Sequence, residues 1–96
     1  MVEILRSQAF ADWLNGLRDN QARLRINARI LRMEGGNMGD TAPVGEGISE
    51  LRIHYGPGYR VYFVQRGSVI LLCGGDKSTQ RADIGRAKQM ARDWRS

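Results

Sequence analysis

The chain has 96 residues, 42% of them apolar, and a formal net charge of +5. That length suits one small domain, residues 1–96, and that apolar share excludes extensive disorder. No apolar run approaches the ~20 residues that span a bilayer, no signal-peptide core follows Met1, and one cysteine with one histidine excludes an internal disulfide and argues against a zinc site, so a cytoplasmic protein without metal or cofactor is expected.

Val2–Arg6 reads as a short strand. Ser7 is placed to cap a helix carrying Ala9, Phe10, Trp13, Leu14 and Leu17 on one face. Gly16 and Asp19-Asn20 mark a break and a second cap. Residues 21–34 show two periods at once. Ala22, Leu24, Ile26, Ala28 and Ile30 alternate as in a strand, while Ile26, Ile30 and Met33 share a helical face. Length and residue type favour the helix. Its arginines read as a solvated face, with contact to a partner or to RNA as the alternative. Gly35–Gly47 holds five glycines, Asn37, Asp40 and Pro43 and reads as an irregular surface loop. It lacks the lysine and following helix of a phosphate-cradling loop.

Three strands follow, at Ile48–Tyr55, Tyr59–Gln65 and Val69–Cys73, with turns at Gly56-Pro57-Gly58 and Arg66-Gly67. The third is apolar throughout, as in a central strand covered on both faces, and Cys73 reads as a buried core thiol. Thr79–Arg95 reads as a helix with Ile84, Ala87, Ala91 and Trp94 on one stripe.

Charge is unevenly placed. Residues 1–48 hold six Lys/Arg and six Asp/Glu, whereas residues 49–96 hold nine and four. The basic excess therefore lies in the second half, as expected for a surface that meets a polyanion or an acidic partner.

If Gly56, Pro57 and Gly58 form the loop, Tyr55 faces Tyr59, Ile53 faces Val61 and Leu51 faces Phe63 on an apolar sheet face. On the other face His54 then meets Arg60 and Arg52 meets Tyr62, with neighbouring Cβ atoms ~5 Å apart. This second face gathers two guanidiniums, an imidazole and a phenol with no carboxylate among them. Guanidinium suits phosphate, and histidine moves protons near neutrality. The competing reading is a solvated face with Glu50 or Asp76 as counter-ion. Beyond the third strand, Gly74-Gly75 precede Asp76-Lys77-Ser78-Thr79-Gln80, where Ser78 or Thr79 can cap the last helix, its N–H groups can meet an anion and Lys77 can reach a phosphate.

These residues carry a resemblance. Glu50-Leu51-Arg52-Ile53, Gly56-Pro57-Gly58-Tyr59-Arg60-Val61-Tyr62-Phe63 and Leu71-Leu72-Cys73-Gly74-Gly75-Asp76-Lys77-Ser78-Thr79-Gln80, with Gly45, Gly47, Asp83-Ile84 and Ala87, resemble the "addiction module killer" branch of HigB-like toxins in the RelE/ParE superfamily. The resemblance runs over essentially the whole chain. It implies an α+β fold of order βααβββα, a small twisted, mainly antiparallel sheet with helices packed on it. It also implies the toxin of a type II toxin–antitoxin pair. Its partners would be a cognate antitoxin, commonly of helix-turn-helix type, the ribosome and mRNA, with operator DNA reached only through the antitoxin and no membrane contact.

RelE- and HigB-like members cut mRNA without a metal. The 2′-hydroxyl attacks its own phosphate, which requires a base, cations for the phosphorane and an acid for the leaving oxygen. By resemblance Arg60 is the phosphate-stabilising arginine and Arg52 the basic residue on the neighbouring strand. His54 or Lys77 can handle protons. Tyr62 or Tyr59 can stack on a base or orient the phosphate, Tyr62 being the one on the basic face, and Ser78, Gln80 and Arg81 are candidate RNA contacts. One departure stands out. Many ribosome-dependent members place Tyr or His near the C-terminus, whereas this sequence ends Ala91-Arg92-Asp93-Trp94-Arg95-Ser96. The alternatives to an endoribonuclease are a ParE-like poison of DNA gyrase and a non-catalytic co-repressor acting with its antitoxin.

Overall fold

A computed structural model describes residues 1–94. The elements are β1 (Ile4–Arg6), α1 (Gln8–Gly16), α2 (Asn20–Glu34), β2 (Thr41–Gly45), β3 (Ile48–Ile53), β4 (Tyr59–Arg66), β5 (Ser68–Gly75), a 3-10 turn (Lys77–Thr79) and α3 (Gln80–Asp93). The last residue of the helix expected at Thr79–Arg95 lies outside the described residues.

The sheet has five strands in the order β1-β5-β4-β3-β2. β1 pairs parallel with β5, and the other three pairings are antiparallel. The chain is therefore α+β with a mixed sheet and three helices.

Helices α1 and α2 form where caps and apolar spacing agree. The Ser7 hydroxyl accepts from Phe10 N at 3.0 Å and donates to the Leu72 carbonyl at 2.5 Å, so one side chain starts α1 and docks it on β5. Asp19 accepts from Gln21 N and Ala22 N, and α2 then buries Ala22, Ile26, Ile30 and Met33. The helical reading of residues 21–34 holds because this spacing matches one face at 3.6 residues per turn.

The sheet divides two cores. Phe10 and Leu14 of α1 and Ile26, Ile30 and Met33 of α2 pack on Leu51, Ile53, Val61, Phe63, Val69 and Leu71. On the opposite face Ala87 and Ala91 of α3 meet Ile48, Tyr62, Val64, Ile70, Leu72 and Cys73, with Ile84 and Trp94 packed alongside. β5 is thus interior and covered on both faces. A bulge there, between the pairs Tyr62–Cys73 and Phe63–Leu71, turns both Leu72 and Cys73 toward α3. Gly74 and Gly75 then lie so close to α1 and α3 that a Cβ would sit 2.3 Å from the Trp13 ring and 1.9 Å from Asp83 Oδ2, respectively.

Two expectations are overturned. The expected loop at Gly35–Gly47 contains strand β2, joined to β3 by a turn at Glu46-Gly47 whose φ values are 54° and 78°. Both residues being left-handed matches the twist of a two-residue hairpin. Pro43 is tolerated because β2 is an edge strand, where an absent N–H goes unmissed. The β3–β4 register also differs by two residues. Ile53 pairs with Tyr59, Arg52 with Arg60, Leu51 with Val61 and Glu50 with Tyr62. The connection runs over His54–Gly58, closed by Gly58 N donating to Tyr55 O at 3.1 Å, so β3 ends at Ile53 rather than at Tyr55.

Candidate functional site

β3 and β4 present Glu50, Arg52, Arg60 and Tyr62 toward the α3 side, as their shared parity requires. The register sets Arg52 directly opposite Arg60. Two guanidiniums at that spacing repel unless a negative group lies between them. Glu50 supplies it. Its carboxylate is only 2% exposed and accepts from Arg52 Nε at 2.8 Å through Oε2 and from Gln80 Nε2 at 2.9 Å through Oε1. Arg60 Nε stands 3.9 Å from Oε2, outside hydrogen-bond reach, and has no partner. The face expected to lack a carboxylate thus has a buried one at its centre. The hydrogen bond to Glu50 raises the Arg52 pKa further.

Arg60 is 6% exposed and is held by its Nη1, which donates to Gly58 O at 3.0 Å and to Tyr59 O at 3.3 Å. Gly58 has φ +79°, and the Lys77 stem packs against it, 3.1 Å from where a Cβ would stand. Arg60 and Lys77 therefore meet at one glycine that has neither room nor dihedral for a side chain. Lys77, Ser78, Gln80, Arg81 and Ile84 line an open hollow of about 420 Å³. Gln80 joins this hollow to the Glu50 cluster.

The start of α3 differs from the expected cap. Asp76 accepts from Ser78 N at 2.8 Å, and Ser78 Oγ donates to the same carboxylate at 2.5 Å. Thr79 makes no capping bond; its hydroxyl donates to Asp83 at 2.6 Å. Ser78 and Thr79 are therefore donors within the turn, and the hydrogen bonds to Ser78 hold the Asp76 pKa below the ordinary aspartate range.

Of the expected site residues, His54 is placed otherwise than the sequence suggested, while Tyr62 and Tyr59 keep their expected faces, Tyr59 apart from the basic one. His54 is not across from Arg60. The five-residue loop carries it off the strand, where it is exposed and bonded to Asp40, whose pKa that bond lowers. Tyr62 is on the expected face but fully buried, so its ring cannot stack on a base. Burial, with Glu50 nearby, pushes its phenol well above the ordinary value, and its hydroxyl has no partner. Tyr59 packs edge-on against Trp13 at 6.1 Å, on the side of α1. The structure thus gathers Arg52, Arg60, Lys77, Ser78, Gln80 and Arg81 on one side and leaves His54 and Tyr59 out. Glu50 is the organising residue that sequence reasoning kept only as a counter-ion. Its parity with Arg52, two residues on, was the available signal.

No family model matches the chain. The fold is similar to the solution structure of the conserved hypothetical protein HP0894 from Helicobacter pylori, with a TM-score of 0.51 and 22% identity, covering 81% of this chain and 97% of that one. An uncharacterized protein of Haemophilus influenzae is 49% identical over 94 residues, which is 96% of this chain and 95% of that protein. Identity at that level over nearly the full length of both leaves one conclusion: the chain belongs to the same family as the Haemophilus influenzae protein.

Proposed function

We propose that the chain is the toxin of a type II toxin–antitoxin pair, a HigB-like member of the RelE/ParE superfamily that cleaves mRNA without a metal and so stops translation in the cytoplasm. The observation that carries this reading is the pairing of Arg52 and Arg60 on one face, preset by Glu50, beside a hollow lined by Lys77 and Arg81. The charged residues that line the hollow, Lys77 and Arg81, are both cationic. Such a site suits a phosphodiester.

In the reaction, the ribose 2′-oxygen bonds to the adjacent phosphorus and the P–O5′ bond breaks, giving a cyclic phosphate and a 5′-hydroxyl. Arg52 and Arg60 neutralise the charge gathering on the phosphorane oxygens. Lys77 donates the proton that O5′ takes on leaving, and the 2′-hydroxyl proton passes to water. His54 has no part in these steps. A helix-turn-helix antitoxin would restrain the toxin and carry it to operator DNA.

Induction of the chain without its antitoxin should arrest bacterial growth, and primer extension should map cuts inside translated messages. Arg60→Ala should lose both effects while still binding the antitoxin, with circular dichroism confirming its fold. Full toxicity in that variant would remove Arg60 from the mechanism. Intact messages with a supercoiling defect would assign the protein to gyrase instead, and no growth effect would leave a co-repressor.

A further inference from the structure

On the other side of the same sheet end, three arginines of α2 converge. Arg25, Arg29 and Arg32 lie at i, i+4 and i+7, and with Ala28, Ile53 and His54 they line a hollow of about 270 Å³. That is below the ~300–1,000 Å³ of sites that enclose a whole small molecule; it suits a single charged group.

Asp40 feels the charge of Arg29, but its hydrogen bond goes to His54. Among the described residues none of the three forms an ion pair. Arg25 lies over the Tyr55 ring at 4.7 Å, and Tyr55 is itself fixed by its hydroxyl donating to Asp19 at 2.8 Å. Arg29 donates from Nη1 to the Arg52 carbonyl at 2.8 Å, and its Nη2 is buried without a partner. The one carboxylate bonded within the group, Asp40, is taken by His54. A row of like charges, two of them braced and one with a buried unused donor, costs stability unless an anion compensates it.

Position links this hollow to the other. The Arg52 side chain points to the Glu50 cluster, while its carbonyl holds Arg29 on the opposite face. A nucleotide chain crossing the His54 end of β3 meets both. We propose that Arg25, Arg29, Arg32 and His54 bind a phosphodiester of single-stranded RNA, at a nucleotide neighbouring the one held by Arg52 and Arg60. This rests on the RNA-cleaving reading above for its ligand, and it adds a second phosphate site that positions the substrate independently of the chemistry.

The test uses a short 2′-O-methyl oligoribonucleotide, which cannot be cleaved, and fluorescence anisotropy over a range of salt. Arg25 and Arg32 are both exposed, so Arg25→Gln/Arg32→Gln should leave the fold intact. The double variant should bind more weakly whatever the base sequence. Its slope of log K against log salt should be shallower by roughly 0.7 for each phosphate that is no longer neutralised. An unchanged slope, or a wild-type protein that does not bind the oligonucleotide, overturns the proposal. Loss of polyglutamate binding in the double variant, with oligonucleotide binding unchanged, also overturns it and assigns the hollow to an acidic protein. Oligonucleotide binding that depends on Arg25 and Arg32 in a protein that cuts no message supports the anion site while the nuclease reading fails.

Discussion

Glu50 holds Arg52 by a 2.8 Å bond and lies 3.9 Å from Arg60, within a face that is otherwise cationic. Its two arginines differ in what they would lose without it. Arg52 is 38% exposed in its side chain and can turn to water, whereas Arg60 is 7% exposed and cannot. Glu50→Ala should therefore act mainly through Arg60. Stranding a buried charge costs about 3–5 kcal/mol, a large share of the ~5–15 kcal/mol that stabilises a domain. The urea midpoint should fall accordingly, and a midpoint within error of wild type would deny Glu50 its organising role. Glu50→Gln should retain the bond to Gln80 through its amide oxygen and lose the charge. Which residues gather in this cluster was partly legible in the sequence. Arg52 and Arg60 stand in recognisable motifs, but His54 is drawn away by Asp40, fourteen residues earlier. No local pattern encodes that pairing.

Among the elements, α1 is fastened to β5 at two points. Ser7 bonds to the Leu72 carbonyl, and the Trp13 ring lies against Gly74. The indole is rigid and nearly touches backbone, so Gly74→Ala has no cheap escape. It must lift α1 or tilt the strand, and such overpacking costs about 1–3 kcal/mol. Thermal unfolding should show the loss, and a stability equal to wild type would mean that α1 yields more easily than this packing implies. The β2–β3 hairpin escaped the sequence reading for a physical reason. Glu46 adopts φ 54°, a conformation usually marked by Asn, Asp or Gly, and Pro43 reads as a breaker unless the strand is known to be an edge.

Across the whole molecule, buried and hydrogen-bonded titrating groups set a pH window. Asp19, Asp40 and Asp76 have pKa values below the ordinary 3.8 through bonds from Tyr55, His54 and Ser78. As pH falls through and below 3.8 the unfolded chain takes up protons first, so their contribution is complete above that value and lost as the folded values are passed. Burial acts oppositely on Cys73, raising its thiol from 9.0 to about 11, and Tyr62 is raised above 10. Above about pH 9 the unfolded chain releases protons first, so stability falls as pH rises. Melting temperature should be flat from about pH 4 to about pH 9 and decline on either side. Cys73→Ala should soften the alkaline decline, and the native thiol should resist disulfide reagents at about pH 8 until urea is added. A decline beginning at neutral pH would contradict this assignment.

Periodicity in the amino-acid order was enough for the three helices, with caps read correctly for two of them, for four of the five strands and for most of the sharing of residues between sheet faces. It suffices because, away from the bulge at Leu72-Cys73, a residue's face depends only on whether its position is odd or even along a strand. A slip of two residues preserves every face, so the same pattern is silent between Arg52 opposite Tyr62 and Arg52 opposite Arg60. Loop closure at Gly58 made that choice. The folded arrangement, and nothing short of it, buries Glu50 between the arginines, seals Tyr62 from any base and sets the α2 arginines around a hollow at the end of β3. Each of these depends on packing between segments distant in the chain, whose energies no local spacing records.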